Sequence, residues 1–237
     1  VLDLSLSPGG PRARQLRYGE GFEVLERRDG FAFGIAALAE YVGWVAEAGL
    51  AAESDRPEAL EWIGERQTHV YDAPDFKAPE RMALPHMAIV ATSEKEGRFT
   101  RTELGWVPTA HLADDLESDS VAVAERYLGT PYLWGANSSF GIDCSGLVQV
   151  ALHACGRPCP GDSDVQEAKL GEAVAPDDPI KRGDLFFWKG HVALAADPQT
   201  LIHANLHHMA VTLEPIDAAI SRIMAQGDGQ ITTRRRL

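Results

Sequence analysis

Residues 141–155 read GIDCSGLVQVALHAC, and the change of character inside this stretch decides the fold of the carboxyl-terminal half. Gly141 to Gly146 has turn character. From Leu147 onward the apolar residues Leu147, Val148, Val150, Ala151, Leu152 and Ala154 occupy nearly every side of a helix. A helix that is apolar all round is a buried helix. Gly156 and Pro158 supply its stop. Cys144 therefore stands at or near a helix N-terminus, where unpaired backbone N–H groups carry partial positive charge. Such a position favours thiolate over thiol and can depress a cysteine pKa well below about 8.5. The same N–H groups can hold the oxyanion of a tetrahedral intermediate. Cys155 and Cys159 have no such placement, and an inert buried thiol is the plain alternative for Cys144.

Downstream of the helix the period changes. Asp184–Trp188 and His191–Ala196 read as strands separated by Lys189 and Gly190, which is hairpin spacing. Leu201–Asn205 reads as a third strand. A cysteine nucleophile needs a base, and the base needs an orienting partner. His191 opens one strand and His203 lies centrally in the next, so pairing of these strands would set two imidazoles side by side. His207 and His208 fall at the strand end, and His69, His86 and His111 are expected on surfaces of a different region. Upstream, Ala113–Ser120 reads as an acidic linker. A helix is expected over Val121–Leu128, with Asp119 or Ser120 as N-cap and Gly129 just past its end. Helices first and strands later make this region α+β.

Residues 1–115 show short apolar runs broken by Gly, Pro and charge, such as Gly21–Leu25, Tyr41–Val45 and His86–Val90. These read as short strands of small barrels or sandwiches, although the Ala content of Phe31–Glu40 leaves a helix open there. One pattern occurs twice: Gly43-Trp44-Val45 followed by Leu50, and Gly105-Trp106-Val107 followed by Leu112. It suggests two copies of one β unit, with a polar, Pro-containing linker at Ala51–Glu58 between them.

The 237 residues are 45% hydrophobic and 24% charged, an ordinary globular composition with room for one to three domains. The net charge of −13 and pI near 5.0 oppose nucleic acid and anionic polymers as partners. No run of eighteen apolar residues exists, so no membrane span is expected. The opening Val1–Gly10 has neither a basic nor an apolar signal region, so a cytoplasmic location is expected, or a periplasmic or secreted one if a signal peptide precedes this sequence. Arg234-Arg235-Arg236 reads as a solvated, frayed end. Three cysteines without framework spacing fit a reducing compartment. Cys155 and Cys159 with His153 match zinc spacing only loosely, and no metal is expected. A Cys155–Cys159 disulfide stays open beside the commoner reading of both as small buried fillers.

Residues 127–135 (YLGTPYLWG) and 143–148 (DCSGLV) resemble the first signature of the NlpC/P60 peptidases. Gly183–Phe187 with His191-Val192 resembles the second, and Ile202-His203-Ala204 the third, over roughly residues 119–210. The resemblance implies a papain-like catalytic domain with Cys144 as nucleophile, His191 as base, His203 as orienting residue and Tyr132 beside the nucleophile. Ala136 departs from the family's usual glycine, for which a minor backbone adjustment is expected. The β units resemble bacterial SH3-like domains. The implied organisation is two small SH3-like β-barrel domains, 1–52 and 53–118, before an α+β NlpC/P60 domain, 119–237.

That combination resembles the γ-D-glutamyl-L-diamino acid endopeptidases, which cleave murein peptides bearing a free N-terminal L-Ala in cell-wall peptide recycling. By the same resemblance, Glu20 and Tyr41 of the first β unit and Asp143, Ser145 and Ser163 of the catalytic domain are substrate-binding candidates. Packing for Tyr41, a solvated turn for Glu20 and helix capping for Asp143 are their plain structural alternatives. The expected partner is a murein peptide, with no cofactor, no nucleic acid, no membrane and a monomeric chain. The main alternative is a wall-degrading D,L-endopeptidase acting on intact peptidoglycan. A catalytically silent wall-binding module, or an acyltransferase or amidase on the same core, are further rivals.

Overall fold

The computed structural model describes residues 1–52 and 59–237. The linker expected at 51–58 lies, from residue 53 on, outside the described residues. The chain forms two compact units, Val1–Leu116 and Glu117–Leu237.

The first unit holds two antiparallel sheets. One comprises β1 (Leu2–Ser5), β2 (Arg12–Leu16), β3 (Phe22–Arg28), β4 (Phe31–Ala36) and β5 (Val42–Ala46), in the order β2-β1-β5-β4-β3. The segment left open to a helix is strand to Ala36, because its alternation puts Ala32, Gly34 and Ala36 inward. Asp29 and Gly30, both with left-handed φ, close the β3–β4 hairpin. The core beneath is Leu4, Leu16, Ala32, Ala36 and Val45. The other sheet comprises β6 (Leu60–Ile63), β7 (Gln67–Tyr71), β8 (Glu80–Pro85), β9 (Ile89–Glu96), β10 (Phe99–Thr102), β11 (Gly105–Pro108) and β12 (Leu112–Ala113), in the order β12-β6-β9-β10-β11-β7-β8. Its core is Ile63, Val70, Leu84, Ala88, Val90 and Val107.

The repeated Gly-Trp-Val occupies the same structural context twice. Trp44 and Trp106 are buried on β5 and β11, each strand leads into one 3-10 turn, and an Arg guanidinium (Arg28, Arg101) lies over each indole. The two sheets meet through the loop after β2. Tyr18 packs against the second core, its carbonyl accepts from Ile89 N at 2.9 Å, and its hydroxyl donates to Glu103 at 3.1 Å. His86, expected on a surface, is buried at the β8–β9 turn, with its N–H donated to the Arg66 carbonyl.

The second unit has helices before and after a sheet. Its elements are α1 (Ser120–Glu125), β13 (Asn137–Ser138), β14 (Gly141–Ile142), α2 (Cys144–Ala154), α3 (Ser163–Lys169), β15 (Glu172–Ala173), β16 (Leu185–Trp188), β17 (His191–Asp197), β18 (Thr200–Asn205), β19 (Ala210–Pro215), α4 (Ile216–Gln226) and β20 (Thr233–Arg236). The order is α+β. Helix α1 starts as expected, with Asp119 accepting from Val121 N and Ala122 N, but ends at Glu125. The six-stranded sheet runs β15-β20-β16-β17-β18-β19. Every residue of α2 is buried, and the helix packs on β17 and β18. Helix α4 contributes Ile216, Ala219 and Ile223 to a core with Phe186, Trp188 and Leu201.

The arginine tail does not fray. It forms β20, inserted between β15 and β16, and Arg236 clamps buried Asp184 with two bonds of 2.7 Å. Burial alone would raise the Asp184 carboxyl, but the Arg236 bonds prevail and hold it below the usual carboxylate range.

Candidate active site

Cys144 is the first residue of α2 and is 7% exposed. The turn before it is held by Asp143. One carboxylate oxygen accepts from Gly146 N at 2.7 Å and from the Ser145 hydroxyl at 3.1 Å; the other accepts from Gly135 N at 2.8 Å. An aspartate at the N-cap suits a helix N-terminus, because its side-chain oxygen accepts from a backbone N–H that has no partner within the helix. Gly146 has to be glycine, because a Cβ there would sit 2.3 Å from the Ala136 carbonyl oxygen. That carbonyl in turn accepts from Asp143 N at 3.0 Å, so Ala136 is accommodated through its backbone. Behind the turn, the Gln166 amide of α3 donates to the Ser145 carbonyl at 2.9 Å and to the Pro160 carbonyl at 2.8 Å.

The two expected histidines meet. His191 Nε2 lies 2.9 Å from His203 Nδ1, and the ring centroids are 5.1 Å apart. Trp188 flanks the first imidazole at 5.7 Å. The chain of contacts continues past the expected pair. His203 Nε2 lies 3.0 Å from Oε2 of Glu214, and Arg222 grips Glu214 through Nη2 at 2.6 Å and Nε at 2.9 Å. Burial pulls the His191 pKa down to about 3, with the neighbouring His203 adding to the effect. Burial likewise lowers His203 to about 4, against the opposing pull of Glu214. The Arg222 hydrogen bonds hold Glu214 below the usual carboxylate range. Both imidazoles are therefore neutral at neutral pH, and the carboxylate is ionised.

Residues 129–133 lace the two halves of this arrangement together. On one side, Gly129 N donates to Val211 O and Tyr132 N to Met209 O, both on the β18–β19 hairpin. On the other, Leu133 N donates to Ile142 O, two residues before Cys144. Tyr132 is thus held between the hairpin that carries His203 and the turn that carries Cys144. Trp134 stands 62% exposed next to it.

Of the other expected site residues, Asp143 and Ser145 come together at the head of α2. Ser163 opens α3, half-buried. Glu20 and Tyr41 belong to the first unit. The Glu20 side chain is 4% exposed and takes the Arg17 N–H at 3.2 Å, with the Arg17 guanidinium at 3.5 Å. Tyr41 packs against the first core with Arg14 over its ring. Sequence reasoning missed Glu214, Arg222 and Gln166. Alternation in β19 would turn Leu213 inward and Glu214 outward; the structure does the reverse, at 48% and 8% exposure.

No disulfide links the three cysteines. Cys159 is buried, which pushes its thiol up to about 12, while Cys155 is only partly buried. Among the described residues no group of three or more His, Cys, Asp or Glu side chains is disposed to hold a metal ion. Among them, too, no helix is long and apolar enough to cross a membrane.

Comparison with known proteins adds a family to this geometry. Residues 129–225 match the NlpC/P60 family, and residues 5–50 match the bacterial dipeptidyl-peptidase SH3 domain. A γ-D-glutamyl-L-lysine dipeptidyl-peptidase of Bacillus cereus is 31% identical over 145 residues, 58% of this chain. A protein of the same name from Bacillus subtilis is 39% identical over 115 residues, 45% of this chain. These alignments span 41% and 38% of the two relatives, so the chain covers less than half of either. The crystal structure of an NlpC/P60 family protein from Bacillus cereus superposes with a TM-score of 0.79 at 19% identity, over 95% of this chain and 82% of that one. That likeness shows a shared fold. Residues 129–225, with the Cys144 helix and the His191–His203 strands, are an NlpC/P60 domain, and the chain carries ahead of it, at residues 5–50, a bacterial dipeptidyl-peptidase SH3 domain.

Proposed function

We propose that this chain is a cysteine peptidase that hydrolyses the bond between γ-D-Glu and the diamino acid of murein peptides with a free N-terminal L-Ala. One observation carries the chemistry. Cys144 heads a buried helix that packs on β17 and β18, and those two strands hold an imidazole pair 2.9 Å apart. In this reading His191 takes the thiol proton as Sγ attacks the scissile carbonyl carbon. Backbone N–H groups at the head of α2 stabilise the oxyanion. Collapse breaks the C–N bond, the leaving amine takes the proton from His191, and a thioester remains on Cys144. Water, losing a proton to His191, attacks the thioester. The product carboxyl group leaves, and the thiol regains its proton.

The substrate class is supported by the two relatives named as γ-D-glutamyl-L-lysine dipeptidyl-peptidases and by the SH3 domain that accompanies the catalytic one. Glu20 and Tyr41 are the proposed partners of the substrate ammonium. A blocked amine would lose its charge and carry the added bulk of the acyl group, and both would disfavour it at this position. Mass spectrometry of products from L-Ala-γ-D-Glu-diaminopimelate and L-Ala-γ-D-Glu-L-Lys, free and N-acetylated, tests the reading. Release of L-Ala-D-Glu from the free peptides alone is expected. Equal cleavage of the acetylated forms would move the enzyme to intact peptidoglycan, and cleavage of neither would overturn the proposal.

A further inference from the structure

We propose that Glu214, clamped by Arg222, is a positioning residue that selects the Nε2–H tautomer of both imidazoles and so leaves Nδ1 of His191 as the basic nitrogen. The inference rests on the reading of His191 as the base.

The argument follows donors and acceptors along the chain. Arg222 offers only N–H donors, and it occupies both oxygens of Glu214. Those bonds keep the carboxylate ionised, hence an acceptor with no proton to give. The nitrogen 3.0 Å from Oε2 is His203 Nε2, so that nitrogen must carry the hydrogen. A neutral imidazole has one N–H, which leaves Nδ1 of His203 with a lone pair. The atom 2.9 Å from that lone pair is His191 Nε2, which must donate in turn. His191 is neutral by the same burial, so its proton is spent on His203 and its Nδ1 lone pair is available to accept one. Had His203 taken the other tautomer, a bare nitrogen would face a carboxylate oxygen. His191 would then hold its proton on Nδ1 and could not act as a base there.

The clamp is built into the fold. Glu214 is the penultimate residue of β19, two residues before α4 begins, and Arg222 lies in the second turn of that helix. Ile216, Ala219 and Ile223 dock α4 on the sheet, which fixes where Arg222 reaches. The position of α4 is thereby coupled to the protonation pattern of the base.

Long-range 1H–15N correlation of the intact chain labelled at histidine tests this directly, with His191→Gln and His203→Gln used for assignment. At neutral pH both rings are expected as neutral Nε2–H tautomers. Glu214→Gln reverses the pattern. Its single amide oxygen is taken by Arg222, its NH2 faces His203 Nε2, and both rings shift to Nδ1–H. The same variant should lose roughly 10²–10⁴-fold in kcat with little change in KM, while Glu214→Asp, which keeps the carboxylate, should retain the wild-type tautomers. An Nδ1–H signal on either ring of the wild type would overturn the inference, even if Glu214→Gln failed to fold. Unchanged tautomers and kcat in a folded Glu214→Gln would overturn it too. Wild-type Nε2–H rings in a chain that cleaves no murein peptide would uphold the relay and remove only the substrate reading.

Discussion

Gly146 and Cys144 show at single positions how tightly the head of α2 is specified. An added methyl at Gly146 would lie 2.3 Å from the Ala136 carbonyl oxygen and 3.0 Å from the Asp143 carboxylate. Neither contact can yield without moving the turn that delivers Cys144. Gly146→Ala should therefore cost about 1–3 kcal/mol, the usual penalty of overpacking. It should also lower kcat by more than its effect on the urea midpoint accounts for. Equilibrium unfolding beside steady-state kinetics separates the two, and an unaffected midpoint would mean the turn is laxer than its geometry. Cys144→Ala makes the complementary case. It removes one sulfur from a nearly closed site, so the fold should survive with a small change in melting temperature. In the proposed mechanism turnover should fall by roughly 10³-fold or more, because nothing replaces the thiol as nucleophile. Measurable peptide cleavage by this variant would eliminate the thioester mechanism.

At the scale of elements, strand β20 shows where the sequence could be read and where it could not. The α2 helix was legible because its apolar residues fill all sides, and the β16–β17 hairpin because Lys189-Gly190 separates two apolar runs. The tail was not, because three consecutive arginines normally mark solvated chain. What turns them into a strand is a partner fifty residues away. Asp184, 1% exposed, accepts both Arg236 nitrogens, and the Arg234 guanidinium donates to the Ala175 and Asp178 carbonyls. Such a long-range pairing leaves no periodic trace. Glu214 was hidden for a related reason, since its burial contradicts the alternation of its own strand and is sustained by Arg222 on another element. The same logic makes Asp184→Asn informative. It keeps the shape of the side chain but removes the charge from two guanidinium neighbours, one of them buried, and breaking such a pair is costly. The urea midpoint should fall, on the order of 1 M, with little change in slope, and protection from hydrogen exchange should be lost first across β15 and β20. Loss confined to β18 and β19 would show that Asp184 does not anchor the tail.

For the molecule as a whole, the paired imidazoles set a distinctive response to acid. His191 and His203 are lowered to about 3 and about 4 in the folded chain, against about 6.5 for an unfolded histidine. Below pH 6.5 the unfolded chain binds protons that the folded chain refuses, so stability falls as pH falls. The contribution is fully present above pH 6.5 and disappears as pH drops through about 4 and then about 3. Asp184 and Glu214, both held below the usual carboxylate range, act in the same direction but begin only near pH 4, where unfolded carboxylates start to protonate. The two sets of groups therefore separate on the pH axis. Melting temperatures of the intact chain should be level from pH 8 to 7, decline from about pH 6.5, and steepen below about pH 4. The intermediate decline contains the contribution of the imidazole pair. It should be reduced, not abolished, in His191→Gln, where His203 remains buried beside Glu214. A melting temperature that stayed level from pH 6.5 to 4.5 would mean that the folded chain already carries protonated imidazoles, and with them would go the neutral base that the proposed mechanism requires.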